Sequence, residues 1–340
     1  MTYLLTNQLR KFPLGVPNWN AIRQQNLFFV DKTAKLGSLV NDFRRVFISR
    51  PPRMGKTTLC STLAELFAHG DSEKFAGTAI HGNWPMKECF PVIYLSLRGL
   101  TNADDTDDKV FEANLCQKLA AAYVDAGFTE MSNYASETSF YSLAVHLASV
   151  VGRQPIVFLI DDCDAPLSQH LYQPQVLAGR QMVLQRFFSW LREQAQSRFI
   201  LINGIMCYRE SAMLLGDDCD DLSLDSYSAA LLGYTQEELE GEGFAPYMTL
   251  AADSMGITKP ELLEQLKHHY YGFCFDEDAS VKVYSPYSIN EFFDSVARED
   301  KQGPKFLLFW MMSSKDNASL KSYLHSKHNQ KFATMATQSN

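Results

Sequence analysis

The sequence predicts an α/β fold, in which a parallel sheet core is flanked by helices and followed by a mainly helical C-terminal region. Short apolar runs rich in β-branched residues recur up to about residue 206, separated by stretches long enough for one or two helices. Continuous apolar strands that alternate with helices are typical of a parallel sheet covered on both faces. Beyond residue 206 this strand signal fades, and patterns that start helices take over.

Composition limits the class of protein. A length of 340 residues suggests about two domains, and 46% hydrophobic with 21% charged residues is typical of a soluble globular protein. The net charge of −8 does not support a surface committed mainly to nucleic acid, although it leaves a local basic groove open. No signal peptide or apolar run long enough for a membrane span is found. The seven cysteines form no C-x-x-C pair, which predicts reduced thiols in a cytoplasmic protein.

The first elements are predicted from short patterns. Asn26–Val30 is apolar and predicts a first strand, after which Asp31 and Thr33 are suited to cap a helix that runs to about Phe43. The run Arg44–Ser49 is rich in β-forming residues and predicts the strand that enters the next loop. After the loop, apolar residues recur at helical spacing and predict a helix; they are Leu59, Leu63, Leu66 and Phe67. Gly70 follows at the position where this helix is expected to end.

Later elements follow the same logic. Further strands are predicted at Phe90–Leu97, Pro155–Ile160 and Arg198–Gly204, and an amphipathic helix at Gln181–Gln194. Capping-box pairs that predict helix starts are Thr235 with Glu238, Thr258 with Glu261, and Ser288 with Glu291. We therefore expect a core over residues 15–206, a mainly helical lid or partner-binding region over 207–315, and a polar tail over 316–340 that frays.

The stretch SRPPRMGKTT resembles a phosphate-binding loop, or P-loop, of the pattern G-x-x-x-x-G-K-[ST] between a strand and a helix. Arg50 stands where the first glycine is expected, and Pro51 and Pro52 remove two amide donors on the side away from the helix. The amides nearest the helix decide phosphate binding. Those amides belong to Arg53, Met54, Gly55, Lys56, Thr57 and Thr58.

The chemistry follows from these residue types. Lys56 is expected to reach the β- and γ-phosphates, and Thr57 to bind Mg²⁺. The alternative is a ligand-free turn between a strand and a helix. Arg50 and Arg53 are both candidates to neutralise phosphate charge, and Arg50 is equally suited to a structural anchor.

A second motif lies about 100 residues later, where an apolar strand ends in Asp161 and Asp162. This is the Walker B arrangement, in which the first acid orders the water shell of Mg²⁺ and the second polarises the attacking water. Asp164 has a helix cap as its alternative role. Asn203 ends another strand, where a polar side chain is expected to sense the γ-phosphate or to form an Asn-Gly turn. Together the two motifs predict a P-loop NTPase fold that uses ATP and Mg²⁺.

Competing sites have weaker support. No N-K-x-D motif that would indicate guanine recognition is present; the residues around Lys315 only approach it. His325 and His328 lack a neighbouring cluster of metal ligands, and His268 and His269 precede an aromatic run that favours core packing.

Eight segments occur in order along about residues 10–315: FFVDKT, SRPPRMGKTTL, FPVIYLSL, FLIDDCDAPL, INGIM, DDLSLDSYSAALLGYTQEEL, HHYYGFCF and VYSPYSINEFF. In these segments the chain resembles the AAA-ATPase-like family of bacterial genomes, whose members often carry a PD-(D/E)xK nuclease-like domain. The resemblance implies that Arg50 is the family's own residue at that position. It also implies ATP binding and hydrolysis, whereas no nuclease-like constellation is found near the end of this chain.

Departures from the family pattern concern turnover. Asp162 stands where the family usually has Glu, Asn203 replaces its Thr, and Ser285 replaces its Asn. Shortening the acid moves its carboxylate by about one C–C bond, ~1.5 Å, and a misplacement of about 1 Å can cost on the order of 100-fold in rate. The leading prediction is an ATPase in which Asp162 and Asn203 act in catalysis, and Thr57 and Asp161 bind the metal. The alternatives are a nucleotide-gated interaction module with little turnover, and a scaffold built on a decayed P-loop. A protein partner or a homo-oligomer is compatible with each.

Overall fold

The computed structural model describes residues 9–100, 105–206, 219–297 and 306. These residues form two compact units. Unit 1 contains residues 9–90, 199–205, 219–297 and 306, and unit 2 contains residues 91–100, 105–198 and 206.

The described helices are α1 (Trp19–Gln24), α2 (Thr33–Asp42), α3 (Lys56–His69), α4 (Asp108–Asp125), α5 (Phe140–Val151), α6 (Ala165–Ser168), α7 (Pro174–Arg192), α8 (Gln236–Glu240), α9 (Ala245–Met255), α10 (Lys259–Tyr270) and α11 (Pro286–Ala297). The described strands are β1 (Arg45–Ser49), β2 (Val92–Ser96), β3 (Ile156–Asp161), β4 (Ser197–Gly204), β5 (Asp220–Asp221), β6 (Tyr271–Cys274) and β7 (Lys282–Tyr284). Short 3-10 turns lie at Glu73–Phe75 and Thr129–Tyr134.

The parallel strands of unit 1 position Gly55, Lys56 and Thr57, called here the GKT sequence. β1 pairs in parallel with β4 and with β5, so that Ser49 lies opposite Gly204. Val46, Phe47 and Ile48 of β1 are fully buried, as the apolar run Arg44–Ser49 predicts. β1 therefore delivers the chain from the core directly into the loop that precedes α3.

Unit 2 is also built from parallel strands and helices. β2 pairs in parallel with β3, with Ser96 opposite Asp161, and every residue of β3 is buried. Helix α4 packs against β2, α5 and α7. The structure confirms the strands predicted at Phe90–Leu97 and Pro155–Ile160 and the helix predicted at Gln181–Gln194. The α/β class is also confirmed, because each unit combines parallel strands with helices.

One predicted strand is wrong. Residues Asn26–Val30 form no strand, and the backbone N of Phe28 donates a hydrogen bond to Lys11 O instead. The Phe28 ring lies 5.0 Å from that of Phe12 and 4.6 Å from that of Phe244, in the aromatic core of unit 1. The apolar run therefore supplies rings to a core and not a strand to a sheet. The helix that follows is confirmed as α2, but the predicted caps are wrong, because the residue at its N-cap is Lys32, without a side-chain cap, and Thr33 is its first helical residue. Asp31 Oδ1 accepts a hydrogen bond from Thr33 N from one residue farther out.

After residue 219, the described part of unit 1 consists mainly of helices. The capping boxes at Thr235 and Thr258 are confirmed. The one predicted at Ser288 is wrong, because α11 begins at Pro286 and Ser288 is buried inside it. Proline is well suited to a first helical position, and Ser285 Oγ accepts from Ser288 N at 3.4 Å. The hairpin of β6 and β7 is antiparallel.

The predicted boundaries at 15–206, 207–315 and 316–340 stay predictions, and the tail with His325 and His328 lies outside the described residues. In the structure, residues 219–297 fold into the same unit as the GKT sequence. No disulfide joins the described cysteines. None of the helices in the described ranges has both the length and the apolar character needed to cross a membrane.

Candidate functional site

Residues 50–58, called here the 50–58 loop, connect the end of β1 to the first turn of α3 in unit 1. Gly55 is the residue before the helix and has φ of 99°, a left-handed conformation that glycine adopts without steric cost. Arg53 also has a left-handed φ of 70°. The first amides of a helix have no partner within the helix, and the helix dipole makes that end electropositive. The loop therefore meets the requirements for binding an anion at a helix N-terminus.

The Lys56 side chain turns back into this loop. Its Nζ donates to the carbonyl oxygens of Arg50 at 2.8 Å and of Pro51 at 3.0 Å, and the residue is only 6% exposed. The ammonium group is thus held by the loop backbone and not extended into water. Thr57 and Thr58 follow in the first turn of α3 and are half-buried.

Arg50 leaves the loop and enters the interior of unit 1. Its guanidinium donates to the carbonyl oxygens of Ser49, Ser223 and Ser228 at 2.7–3.1 Å, and its Cζ lies 4.2 Å from the Phe275 ring centroid. Burial lowers the pKa of Arg50 to about 10, opposed by the charge of Asp221, so the group stays charged at neutral pH. Of its two predicted roles, the structural anchor is the one that these contacts fit.

The next two loop residues contact the C-terminal part of unit 1. The Arg53 guanidinium lies 4.1 Å from the ring centroid of Tyr287, at the start of α11. The Met54 side chain is 1% exposed and clusters with Phe275 and Val283. Sequence reasoning missed these contacts, although all three contacting residues lie in or beside the segments HHYYGFCF and VYSPYSINEFF.

Asn203 lies in β4 opposite Ile48 of β1. Its side chain is fully buried, and its Nδ2 donates to Cys60 Sγ at 3.0 Å, one turn into α3. The amide therefore links the sheet of unit 1 to the helix that carries Lys56. Its role as a γ-phosphate sensor stays a prediction.

Of the two predicted acids, Asp161 is the last residue of β3 in unit 2, and Asp162 follows it directly. Asp161 accepts a hydrogen bond from Tyr94 OH at 3.1 Å and another from the backbone N of Asp162 at 3.0 Å. Asp162 has φ of 51°, a conformation that is uncommon for a residue other than glycine. Such backbone strain is concentrated at functional sites in proteins.

Arg98 forms a two-point ion pair with Asp162. Arg98 Nε and Nη2 donate to the two carboxylate oxygens of Asp162 at 2.9 and 3.1 Å. The Arg98 side chain is 54% exposed, whereas that of Asp162 is 10% exposed. Lys118 lies nearby; burial lowers its pKa, and the charge of Asp162 opposes that shift. The sequence did not single out Arg98, because its position just after β2 carries no motif.

Asp164 does not cap α6 with its side chain, which was its alternative role. Its Oδ2 accepts instead from the backbone N of Met206 at 2.9 Å. Within the described ranges, no group of three or more His, Cys, Asp or Glu side chains forms a metal site. A Mg²⁺ that is held by one hydroxyl, one carboxylate, water and phosphates needs no such cluster.

Comparisons with known proteins agree with the motifs. The family model described as Predicted AAA-ATPase, of the AAA-ATPase-like family, matches residues 13–212. The chain is also similar to a protein of Azotobacter chroococcum mcd 1 described as "Uncharacterized protein in vnfD 5'region". The two are 27% identical over 285 residues, which cover 82% of this chain and 51% of that protein. The chain thus spans about half the length of this relative. No solved structure matches the chain significantly.

Proposed function

The chain belongs to the AAA-ATPase-like family of predicted AAA-ATPases, and on that premise we propose that it binds ATP in the 50–58 loop and hydrolyses it with Mg²⁺. The observation that carries the proposal is the Lys56 ammonium held inside a loop at the N-terminus of α3. A polyphosphate would meet that charge together with the amides of the first helical turn. The charge of Lys56 and the amides at the start of α3 are thus suited to the negative charge of a triphosphate.

Each side chain has a proposed role. Lys56 and the amides of residues 53–58 bind the phosphates, and Thr57 and Asp161 hold the metal. Mg²⁺ would supply positive charge that neutralises the phosphate oxygens during transfer. Asp162 positions the attacking water and Asn203 senses the γ-phosphate. We further propose that residues 207–315 act as a lid or as a region that binds a protein partner, including a second copy of this chain.

Isothermal titration calorimetry with ATP and Mg²⁺ tests the binding step. We expect the parent protein to bind and Lys56→Ala to bind at least tenfold more weakly, since it removes the ammonium group from the loop. Lys35→Ala is the matched control, because Lys35 is an exposed lysine on α2 of the same unit. Equal affinity in the parent and Lys56→Ala, or no binding by either, would contradict the proposal.

The second candidate function is a nucleotide-gated interaction module that binds ATP with little turnover. The ion pair between Arg98 and Asp162 favours it, because each carboxylate oxygen that should position water already accepts a hydrogen bond from Arg98. Phosphate release by the parent, Arg98→Ala and Asp162→Glu separates the two functions. A large gain in either variant supports the module, whereas loss in both variants from an active parent supports hydrolysis adapted to aspartate.

A further inference from the structure

Arg53 is a cation in the 50–58 loop whose charge is not neutralised within unit 1. Its Cζ lies over the ring of Tyr287, 4.1 Å from the ring centroid. Within residues 9–90, 199–205 and 219–297, no carboxylate lies within ion-pair distance of it. Its backbone has φ of 70°, so the loop holds this residue in an unfavourable conformation. Strain of this kind persists only where the surrounding structure enforces it.

The Arg53 guanidinium makes no hydrogen bond to residues 9–90, 199–205 or 219–297, so its N–H donors are available for a ligand. A cation–π contact uses the flat face of the guanidinium, whereas its N–H donors point outward in the plane of the group. Those donors form a rigid fork that matches two oxygens of a phosphate. An arginine stacked in this way is oriented for an anion before the anion arrives.

Both sides of this contact are anchored. Tyr287 is the second residue of α11, whose Ile289, Phe292 and Phe293 are buried in the core of unit 1. Met54, next to Arg53, is packed against the hairpin formed by β6 and β7 through Val283. The stack therefore joins two fixed elements, and the long arginine side chain loses part of its rotamer freedom before any ligand binds.

We propose that Tyr287 is a positioning residue that presents the Arg53 guanidinium to the phosphates of the bound nucleotide. This inference rests on the proposed function, because the anion concerned is the polyphosphate of ATP. It assigns the start of α11 to the nucleotide site. Nucleotide binding in the 50–58 loop is thereby linked to α11, a helix far from the GKT sequence along the chain.

Calorimetric titration of ATP in the presence of Mg²⁺ tests this role. We expect Tyr287→Ala to weaken binding about 3- to 10-fold, the range that follows from a partly desolvated cation–π contact. Tyr287→Phe keeps a ring and is expected to rescue most of the affinity. Tyr141→Ala is the matched control, since it removes a tyrosine that is 81% exposed in unit 2.

Two further measurements separate positioning from a structural effect. Adding Tyr287→Ala to Arg53→Ala should weaken binding no further, because the ring then has no guanidinium to present. The affinity of Tyr287→Ala should also fall less steeply with added salt than that of the parent, because one ionic contact is lost. Additive losses, an unchanged salt dependence, or Tyr287→Phe as weak as Tyr287→Ala would overturn the inference.

The experiment also separates this inference from the proposed function. If the parent binds ATP at least tenfold more tightly than Lys56→Ala, while Tyr287→Ala binds like the parent, the inference alone fails. If neither the parent nor Lys56→Ala binds ATP, both fail. Circular dichroism and the unfolding midpoint of each variant establish that it is folded.

Discussion

Arg50 occupies the position at which a phosphate-binding loop usually has its first glycine, and its guanidinium donates to backbone carbonyls that lie outside the 50–58 loop. It crosses to backbone carbonyls of Ser223 and Ser228, which are more than 170 residues away in sequence. A glycine at this position would leave those carbonyls without their donor. A glycine would make the backbone flexible here, whereas the arginine side chain binds the segment that follows β5.

We expect Arg50→Met to lower the free energy of unfolding by about 3 kcal/mol, because it leaves buried carbonyl oxygens without hydrogen bonds. Urea unfolding followed by circular dichroism measures this change. Arg153→Met removes an exposed arginine and serves as the control, with an expected change within about 0.5 kcal/mol. A loss in Arg50→Met no larger than in the control would show that the buried contacts contribute nothing.

At the scale of elements, Glu65 connects α3 to its surroundings. It is 6% exposed, and its carboxylate accepts from Asn20 Nδ2 at 2.7 Å and from Lys74 Nζ at 2.6 Å. Burial by itself raises the pKa of Glu65, but these hydrogen bonds and the charges of Lys74 and His69 outweigh burial and lower it below 4.5. The helix that carries Lys56 is thus tied to α1 and to residue 74.

This pKa shift predicts a pH dependence. Because the folded pKa of Glu65 lies below the unfolded one, its stabilisation is complete above the unfolded value of 4.5 and is lost as the pH falls through the folded value. We expect the parent to lose more unfolding free energy between about pH 6 and pH 3 than Glu65→Gln does. Glu88→Gln, at an exposed position, should behave like the parent. If the unfolding free energies of the parent and Glu65→Gln fall equally between pH 6 and pH 3, Glu65 makes no such contribution.

A second connection joins the start of α2 to α8. Lys32 Nζ donates to both carboxylate oxygens of Glu238 at 2.6 and 2.8 Å and to Ala230 O at 2.9 Å. Burial lowers the pKa of Lys32, and the charge of Glu238 opposes that shift. The ion pair of Lys32 and Glu238 therefore joins two segments that resemble the family, FFVDKT and the end of DDLSLDSYSAALLGYTQEEL.

A double-mutant cycle measures this connection. We expect Lys32→Met and Glu238→Gln each to destabilise the protein, and the double variant to lose less than their sum, with a coupling energy of about 1–3 kcal/mol. The reason is that each single change leaves a largely buried group without its partner. Urea unfolding of the four proteins supplies the values. Additive losses would mean that the ion pair makes no net contribution.

At the scale of the whole molecule, nucleotide binding should stabilise the folded state. With ATP and Mg²⁺ at about 100 times the dissociation constant, we expect a gain of about 2.7 kcal/mol in unfolding free energy. Hydrogen exchange should slow in the 50–58 loop, in β6 and β7, and at the start of α11. Thermal unfolding and mass-detected exchange measure both effects. At the same ATP concentration, Lys56→Ala should show a smaller gain in stability and weaker protection than the parent. Protection confined to the loop would contradict a link to α11.

Local patterns predicted much of this molecule. The strands β1 to β4, the helices α2, α3 and α7, and two capping boxes follow from short-range periodicity and cap chemistry. Asn26–Val30 was predicted wrongly, because an apolar run has the same pattern whether it pairs in a sheet or supplies rings to a core. Ser288 was predicted wrongly because a proline two residues earlier starts the helix.

The sequence by itself determined the α/β class, the GKT helix start and the strand that ends in two acids, since each depends on residues close together in the chain. Only the tertiary structure decided that Arg50 is an anchor, that Arg98 holds Asp162 and that Tyr287 holds Arg53. These contacts join residues far apart in sequence. Their existence depends on how the chain packs, which no local pattern specifies.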